Sequence, residues 1–498
     1  MQKNSKTSPN SNRVARSLHA HLVIALSLGG LIYILAVTGT LSVFNREIQR
    51  WEQPTAPEMG SISPNAAARA AKTVFESEET PSTHLYINFP QPDLPRTVIT
   101  TDTQAFFANA DGTVAEKEHF PWTQFLLDLH YYLHLPQVIG LTVVGALGAF
   151  LIAMSISGFM SHPRIFRDAF TFRRGKGLLP MVDLHNRLSV WTSPFHVTNA
   201  LTGALLGLAT VLAFTIAAFN FDGDIDKVFS PVFGEEPPEI VGKAPIANIA
   251  GPLKYMASEY PEQPPTFFIL HDPATAGQHI NVIAKHTDRL IFGEYYNFSA
   301  SGEYQGNVGI SDGTIGQQLI GSVYNIHFGN WGGLLVKIAY SIFGVLLSVI
   351  IASGLRIYFV RRNQKGLYAP KLESAWESIV WGTPLNLTLT LLLAVAGVLE
   401  GLGLVMLFWI GLTATVFAAC IAANPRKVRL ILRLLTGLAL LITVLLHGFY
   451  NLNNSPSLAA YSVSIILLAV AGIVSLPTIP FLRENATAIG IDTLGRNN

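Results

Sequence analysis

What most constrains this chain is a set of apolar runs, each long enough to cross a bilayer as a helix of about 20 residues. Four of them open on histidine: Leu18-His19-Ala20-His21-Leu22, Leu129-His130-Tyr131-Tyr132-Leu133-His134, Leu184-His185-Asn186-Arg187-Leu188 and Ile326-His327-Phe328. Each of these four carries a small-residue pair towards its far end: Thr38-Gly39, Ser157-Gly158, Thr202-Gly203 and Ser353-Gly354. Half the residues are apolar and only 13% are charged, which marks a polytopic membrane protein. The net charge of +1 argues against a nucleic-acid partner. One cysteine, Cys420, excludes an internal disulfide, a thiolate zinc site and a cysteine-held iron–sulfur cluster.

Read in order, residues 1–44 are a basic tail and a first helix over 22–44, which ends without a small-residue cleavage site and is expected to be retained. A soluble stretch, 45–124, follows. Residues 125–219 hold helix two (125–159), a basic loop with Arg164, Arg167, Arg173, Arg174 and Lys176, and helix three, from 182 to 219 with its apolar part after Pro194. A second soluble stretch covers 220–325, and 326–362 hold helix four. Residues 363–498 divide into four further helices at 380–399, 403–423, 429–449 and 457–478. Eight helices leave both termini on one side. The basic residues of the N-terminus (Lys3, Lys6, Arg13, Arg16), of the loops and of the Arg483 tail fall on that same side, so it is expected to be the cytoplasm. The soluble stretches, with acidic residues such as Asp222, Glu235, Glu236 and Glu239, then lie outside.

The first half repeats. Helices one and three start Leu-His-x-x-Leu and end near Thr-Gly; helices two and four start with His and end near Ser-Gly. The soluble stretches echo one another too. Residues 65–77 and 252–260 read as short helices, and 97–100 and 280–284 alternate as strands. Phe106-Phe107…Gly112 and Tyr295-Tyr296…Gly302 read as hairpins. Matched topology makes this a parallel repeat about an axis along the membrane normal. Such an axis sets His19 opposite His185 and His130 opposite His327. Two imidazoles approaching one point from opposed helices suit bis-histidine haem ligation inside a bundle. Two haems, one near each surface, would make a transmembrane electron path.

The alternatives lie close by. His21 and His134 compete with His19 and His130, each within a turn of its neighbour. His196 follows His185 by eleven residues, near three full turns, and a hydrogen bond to Thr198 or Asn199 would equally explain it. His447 reads as an interfacial anchor beside Tyr450. His84, His119, His271, His279 and His286 show no ligand spacing and read as surface residues. Arg356 reads as a snorkelling arginine, with a propionate partner as the alternative. There is no dinucleotide fingerprint, Walker loop or His-Glu-x-x-His, so an electron donor must be external, a quinol or a soluble cytoplasmic reductase.

Taken together, the two His-led helix pairs and the aromatic–glycine hairpins between them resemble the PepSY-associated transmembrane helix proteins over residues 13–365. These include iron-regulated bacterial inner-membrane proteins and ferric-siderophore reductases. The resemblance implies a four-helix haem-binding core with periplasmic α+β PepSY-like inserts, to which the last four helices are an addition. It implies haem b, two per chain, held by His19, His185, His130 and His327, and reduction of a periplasmic Fe(III)–siderophore. It implies a bacterial inner-membrane location, with both termini cytoplasmic by the charge bias. Two other classes compete: a non-enzymatic PepSY protein that binds or regulates a partner, and a siderophore or iron transporter working through the last four helices.

Overall fold

The computed structural model describes residues 9–478 apart from 81, 176, 236, 238, 239, 241 and 453–456. Lys3, Lys6, Lys176, Glu236, Glu239, Arg483 and residues 453–456, between the expected helices 429–449 and 457–478, lie outside the described residues. In chain order the elements are α1 (Pro9–Ser42), α2 (Asn45–Glu52), α3 (Pro64–Glu76), β1 (His84–Asn88), β2 (Thr97–Thr101), β3 (Ala105–Ala108) and β4 (Val114–Lys117). Next come α4 (Pro121–Tyr132), α5 (Gln137–Ser161), α6 (Ile165–Asp168), α7 (Leu178–Trp191), α8 (Ser193–Asn220), α9 (Asp226–Phe233) and α10 (Ala250–Glu259). β5 (Pro265–His271), β6 (His279–Ala284), β7 (Glu294–Phe298), β8 (Tyr304–Asn307), α11 (Ile315–Phe328) and α12 (Gly333–Gln364) follow. The chain closes with α13 (Pro370–Val395), α14 (Leu402–Ala422), α15 (Pro425–Tyr450) and α16 (Leu458–Ser475).

Among the described residues eight helices are long and apolar enough to cross a membrane: α1, α5, α8, α12 and α13 through α16. The protein is a polytopic helical membrane protein. Two expected helices are each interrupted. Helix two breaks after α4, where Leu133 and His134 take left-handed conformations (φ 54° and 57°) ahead of Pro136. His134 therefore lies beyond α4 and does not continue the face of His130. Helix three breaks at Thr192, two residues before Pro194, a residue that cannot donate to the preceding turn. His327 ends a helix of its own, α11, begun by a Thr314–Gln317 capping box and closed by left-handed Gly329.

The chain forms two compact units: Met1–Glu52 with Pro121–Ala204 and Ile338–Asn498, and Gln53–Phe120 with Leu205–Lys337. In the first, helices approach through small residues, as lipid-embedded bundles require. A side chain on Gly148 would lie 3.0 Å from the Ala200 carbonyl, and one on Gly344 would meet the Thr40 hydroxyl. The last four helices are integral to this unit. Tyr33 Oη of α1 donates to the Val380 carbonyl (3.0 Å) and Trp122 Nε1 of α4 to Thr390 Oγ1 (3.0 Å), both on α13. Fully buried Trp51 donates to Ser464 Oγ (2.9 Å) and stacks on His447 at 4.0 Å. His447 Nε2 donates to the Trp51 carbonyl (2.7 Å), so it joins α2 to α15 within the protein and is no interfacial anchor. Glu377 of α13 pairs with Arg429 (3.4 Å) and with Arg356 (3.9 Å), which gives Arg356 a protein partner.

The second unit is one antiparallel sheet in the order β4-β3-β2-β1-β5-β6-β7-β8. The two soluble stretches thus contribute four strands each, joined where β1 pairs with β5 (Leu85↔Leu270, Ile87↔Phe268). Alternation sends Leu85, Ile87, Phe268, Leu270, Ile280 and Val282 to one face, all fully buried with α3 and α10 in a single core. The alanines of α3 (Ala67, Ala70, Ala71) bring its backbone close to that face. Gly112 closes the β3–β4 hairpin at φ 84°, where a side chain would strike the Ala66 carbonyl.

Candidate functional site

The small-residue pairs at 38–39, 157–158 and 353–354 each receive a histidine ring within the first unit. His21 Nδ1 lies 2.8 Å from the Met154 carbonyl, and a side chain on Gly158 would sit 3.3 Å from His21 Cε1. His185 Nδ1 lies 3.1 Å from the Ile350 carbonyl and 3.1 Å from Ser353 Oγ, whose own proton goes to Ile350 O. A side chain on Gly354 would sit 3.2 Å from His185 Cε1. The two arrangements match: a carbonyl on the facing helix, then a glycine four residues later. A carbonyl only accepts, so in both rings Nδ1 carries the proton and Nε2 keeps its lone pair. The two imidazoles are near enough that charge on His21 disfavours charge on His185. Burial, the larger cause, and this neighbour push His185, which lies ahead of the α8 span, down to about 4.

His19 lies on the exposed side of α1 and takes no part in this arrangement. In these cradles the position matching His185 is His21, whereas the Leu-His-x-x-Leu alignment sets His19 opposite His185. The signal was present in the spacing: Thr38 follows His21 by 38 − 21 = 17 residues, and Thr202 follows His185 by 202 − 185 = 17. Counting back from Thr-Gly, rather than forward from Leu-His, selects His21.

The third cradle is at the other end of α1. His130 Nδ1 is 3.2 Å from Thr38 Oγ1, whose proton is donated to the Ile34 carbonyl (2.9 Å). The hydroxyl oxygen therefore accepts from Nδ1–H. A side chain on Gly39 would lie 2.6 Å from His130 Cε1, the tightest of the three contacts. The α4 helix that presents His130 is held at its start by Glu52, a residue the sequence reading passed over. Its Oε1 accepts from Trp122 N–H (2.9 Å) and its Oε2 from Thr123 N–H (2.8 Å) and the Thr123 hydroxyl. An acid at a helix N-terminus satisfies donors that have no intrahelical partner. Burial nevertheless pushes Glu52 up to about 7.

The remaining candidates are dispersed. His134 stacks on Phe125 at 4.9 Å with its Nε2 buried and without a hydrogen bond, and burial lowers its pKa. His196 is buried and bonds Thr192 Oγ1 (3.2 Å), not Thr198 or Asn199. His327 occupies the last turn of α11 in the second unit. Among the soluble histidines, His84, His271 and His279 are not independent surface residues. They lie side by side on β1, β5 and β6, with His84↔His271 and His271↔His279 as direct cross-strand partners. Finding this from sequence would have required the β1–β5 register between two stretches far apart in the chain.

The chain is 31% identical over 129 residues to the uncharacterized protein PA4219 of Pseudomonas aeruginosa, a match covering 26% of this chain and 32% of that protein. The chain thus spans about a third of the length of that curated relative. Residues 18–361, which include all three cradles and the whole eight-stranded sheet, match the PepSY-associated TM region family, and the chain belongs to that family.

Proposed function

We propose that the protein is a b-type haem oxidoreductase of the bacterial inner membrane that passes electrons across the bilayer to an extracytoplasmic ferric acceptor, an Fe(III)–siderophore. The observation that carries this proposal is the matched pair His21 and His185. Each ring is pinned through Nδ1–H to a backbone carbonyl, faces a glycine of the adjoining helix and keeps Nε2 as its unshared donor. Metal-ligating histidines characteristically donate the other ring N–H to such an acceptor, which sets the tautomer and raises basicity. Each ring packs directly on its glycine, where a Cβ would crowd it. The residues therefore fit an inner haem held by His21 and His185. The sequence repeat alone assigns an outer haem to His130 and His327, with His134 and His196 as the reserve donors.

A haem held by these histidines would supply one-electron transfer. The chain's own part is to fix the imidazoles: Met154 and Ile350 orient the inner pair, while Thr38 and the Glu52-capped α4 orient His130. The N-terminus and the basic loops are cytoplasmic in this proposal, the two-stretch sheet faces the acceptor, and a quinol or a soluble reductase supplies electrons. An oxidised and dithionite-reduced visible spectrum of the purified protein tests it, with a reduced b-type spectrum and two haems per chain expected. His21→Ala and His185→Ala should each remove the same single haem, and His19→Ala none. A protein without haem absorbance after haem-replete expression would leave the partner-binding PepSY reading in its place. Loss of haem in His19→Ala but not in His21→Ala would overturn the ligand assignment.

A further inference from the structure

The row His84–His271–His279 crosses the join between the two halves of the sheet. Each is a direct cross-strand partner of the next, and the intervening Leu85, Leu270 and Ile280 are buried beneath the helices. Alternation therefore puts all three imidazoles on the opposite face. Ring centroids are 5.3 Å apart for His84 and His271, and 4.3 Å for His271 and His279.

The hydrogen bonds assign one proton to each ring. Thr83 Oγ1 donates to Asp102 Oδ2 (2.9 Å), so it accepts from His84 Nδ1 (2.8 Å). Asn281 Nδ2 donates to Asn297 Oδ1 (2.8 Å), which turns Asn281 Oδ1 to accept from His271 Nε2 (2.7 Å). The Gly277 carbonyl can only accept, and His279 Nδ1 is 3.4 Å from it. The lone pairs left over are His84 Nε2, His271 Nδ1 and His279 Nε2. Three neighbouring imidazoles, each with its other nitrogen turned to an acceptor and one of them backed through Thr83 by a carboxylate, have the outer-shell pattern of a metal site.

We propose that His84, His271 and His279 bind one imidazole-preferring divalent cation of the zinc, copper or ferrous class, bridging the two halves of the sheet. Imidazole suits these ions, and three nitrogens leave a fourth position for water or an exogenous ligand. Among the described residues no three such side chains converge on one point as they stand. Closure requires the outer rings, His84 and His279, to turn towards His271. The His84 side chain is 37% exposed and His279 is half-buried, so both have an open side to turn through. The site does not depend on the haem proposal, because none of its residues belongs to the helices.

Equilibrium dialysis of the chelator-stripped, full-length protein against Zn²⁺, with zinc and haem both measured, tests the site. One zinc per chain is expected, with affinity weakened roughly tenfold or more in His271→Ala and in His279→Ala. His286→Ala, in the same unit but outside the row, should bind as the wild type does. His279→Gln, which keeps volume and polarity, should lose zinc like the alanine variant while keeping the wild-type melting temperature. Zinc retained by the His271 and His279 variants, an equal loss in His286→Ala, or no stoichiometric zinc in the wild type would each overturn the proposal. The haem reading would stand or fall separately on the haem content.

Discussion

Replacing Gly39 by alanine should do what the same change at Gly158 or Gly354 does not. A Cβ at Gly39 would lie 2.6 Å from His130 Cε1, against 3.3 Å from His21 at Gly158 and 3.2 Å from His185 at Gly354. Carbon atoms are at ease at about 3.5–4.0 Å, so the shortfall at Gly39 is about 1 Å and at the other two a few tenths. In a helix interior, glycine-to-alanine gains about 0.5–1 kcal/mol from the backbone. Overpacking of the Gly39 kind costs about 1–3 kcal/mol, because His130 must leave Thr38 to make room. Gly158→Ala and Gly354→Ala should then be close to neutral, and Gly39→Ala should be destabilised by about 1–2 kcal/mol. The assay is thermal unfolding of the three variants in detergent, read beside haem content. A displaced His130 should also lower occupancy of the outer haem while sparing the inner one. A Gly39→Ala protein as stable as Gly158→Ala, with an unchanged spectrum, would refute the cradle geometry.

Three further outcomes are expected. Glu52 is raised to about 7 from an ordinary 4.5, so its neutral form is the one the fold favours; stability from this group is full below about 4.5 and is lost as pH rises to about 7. Glu52→Gln should flatten the melting temperature across that window, and an unchanged slope in the variant would count against the assignment. Trp51→Ala should cost about 3–5 kcal/mol, since it empties a fully buried site, removes the donor to Ser464 and takes away the ring that stacks on His447; denaturant unfolding measures it, and a cost below about 1 kcal/mol would contradict the packing. A chain ending at Lys371 should fail to give monodisperse protein in detergent, because Tyr33 and Trp122 lose their α13 acceptors where lipid offers none; a stable, monodisperse truncation would show the last helices to be dispensable.

The membrane helices were legible because a bilayer leaves few options for an apolar run. The expected 403–423 falls within a residue of α14, and 457–478 within a residue of the apolar helical span Leu458–Thr478. The start of α13 was not legible: Lys371, Glu373 and Glu377 depress the hydropathy of its first turns, so the expected helix began ten residues late, at 380 instead of Pro370. Those polar residues are tolerated because Glu377 is paired with Arg429 and Arg356 inside the protein, a tertiary fact no window can sense. Helix phase was the other limit. His19 and His21 are two residues apart, about 200° around the helix, so an error of two in alignment turns a ligand candidate from the bundle to its outside. In the same way a two-residue left-handed break at Leu133 and His134 cancels any inference carried along helix two by periodicity.

The soluble stretches show why equivalent sequence need not mean separate domains. The outer hairpins were readable from aromatic strands running into glycine, and β2 and β6 from alternation. The two central strands, β1 and β5, were missed. β5 reads Pro-Thr-Phe-Phe-Ile-Leu-His, a run without polar alternation, and β1 is five residues with histidine and asparagine at its ends. Each is the edge of its own four-stranded half, and an open edge strand is a template for unwanted pairing. Here each edge is closed by the other, five residue pairs long, from His84↔His271 to Asn88↔Phe267. The core under the sheet is likewise common property, since α3 from one stretch and α10 from the other pack into it together. Neither half has a complete core or a finished edge alone, so the natural folding unit is the pair. Any ligand bound at the His84–His271–His279 row would report directly on whether that pair is joined.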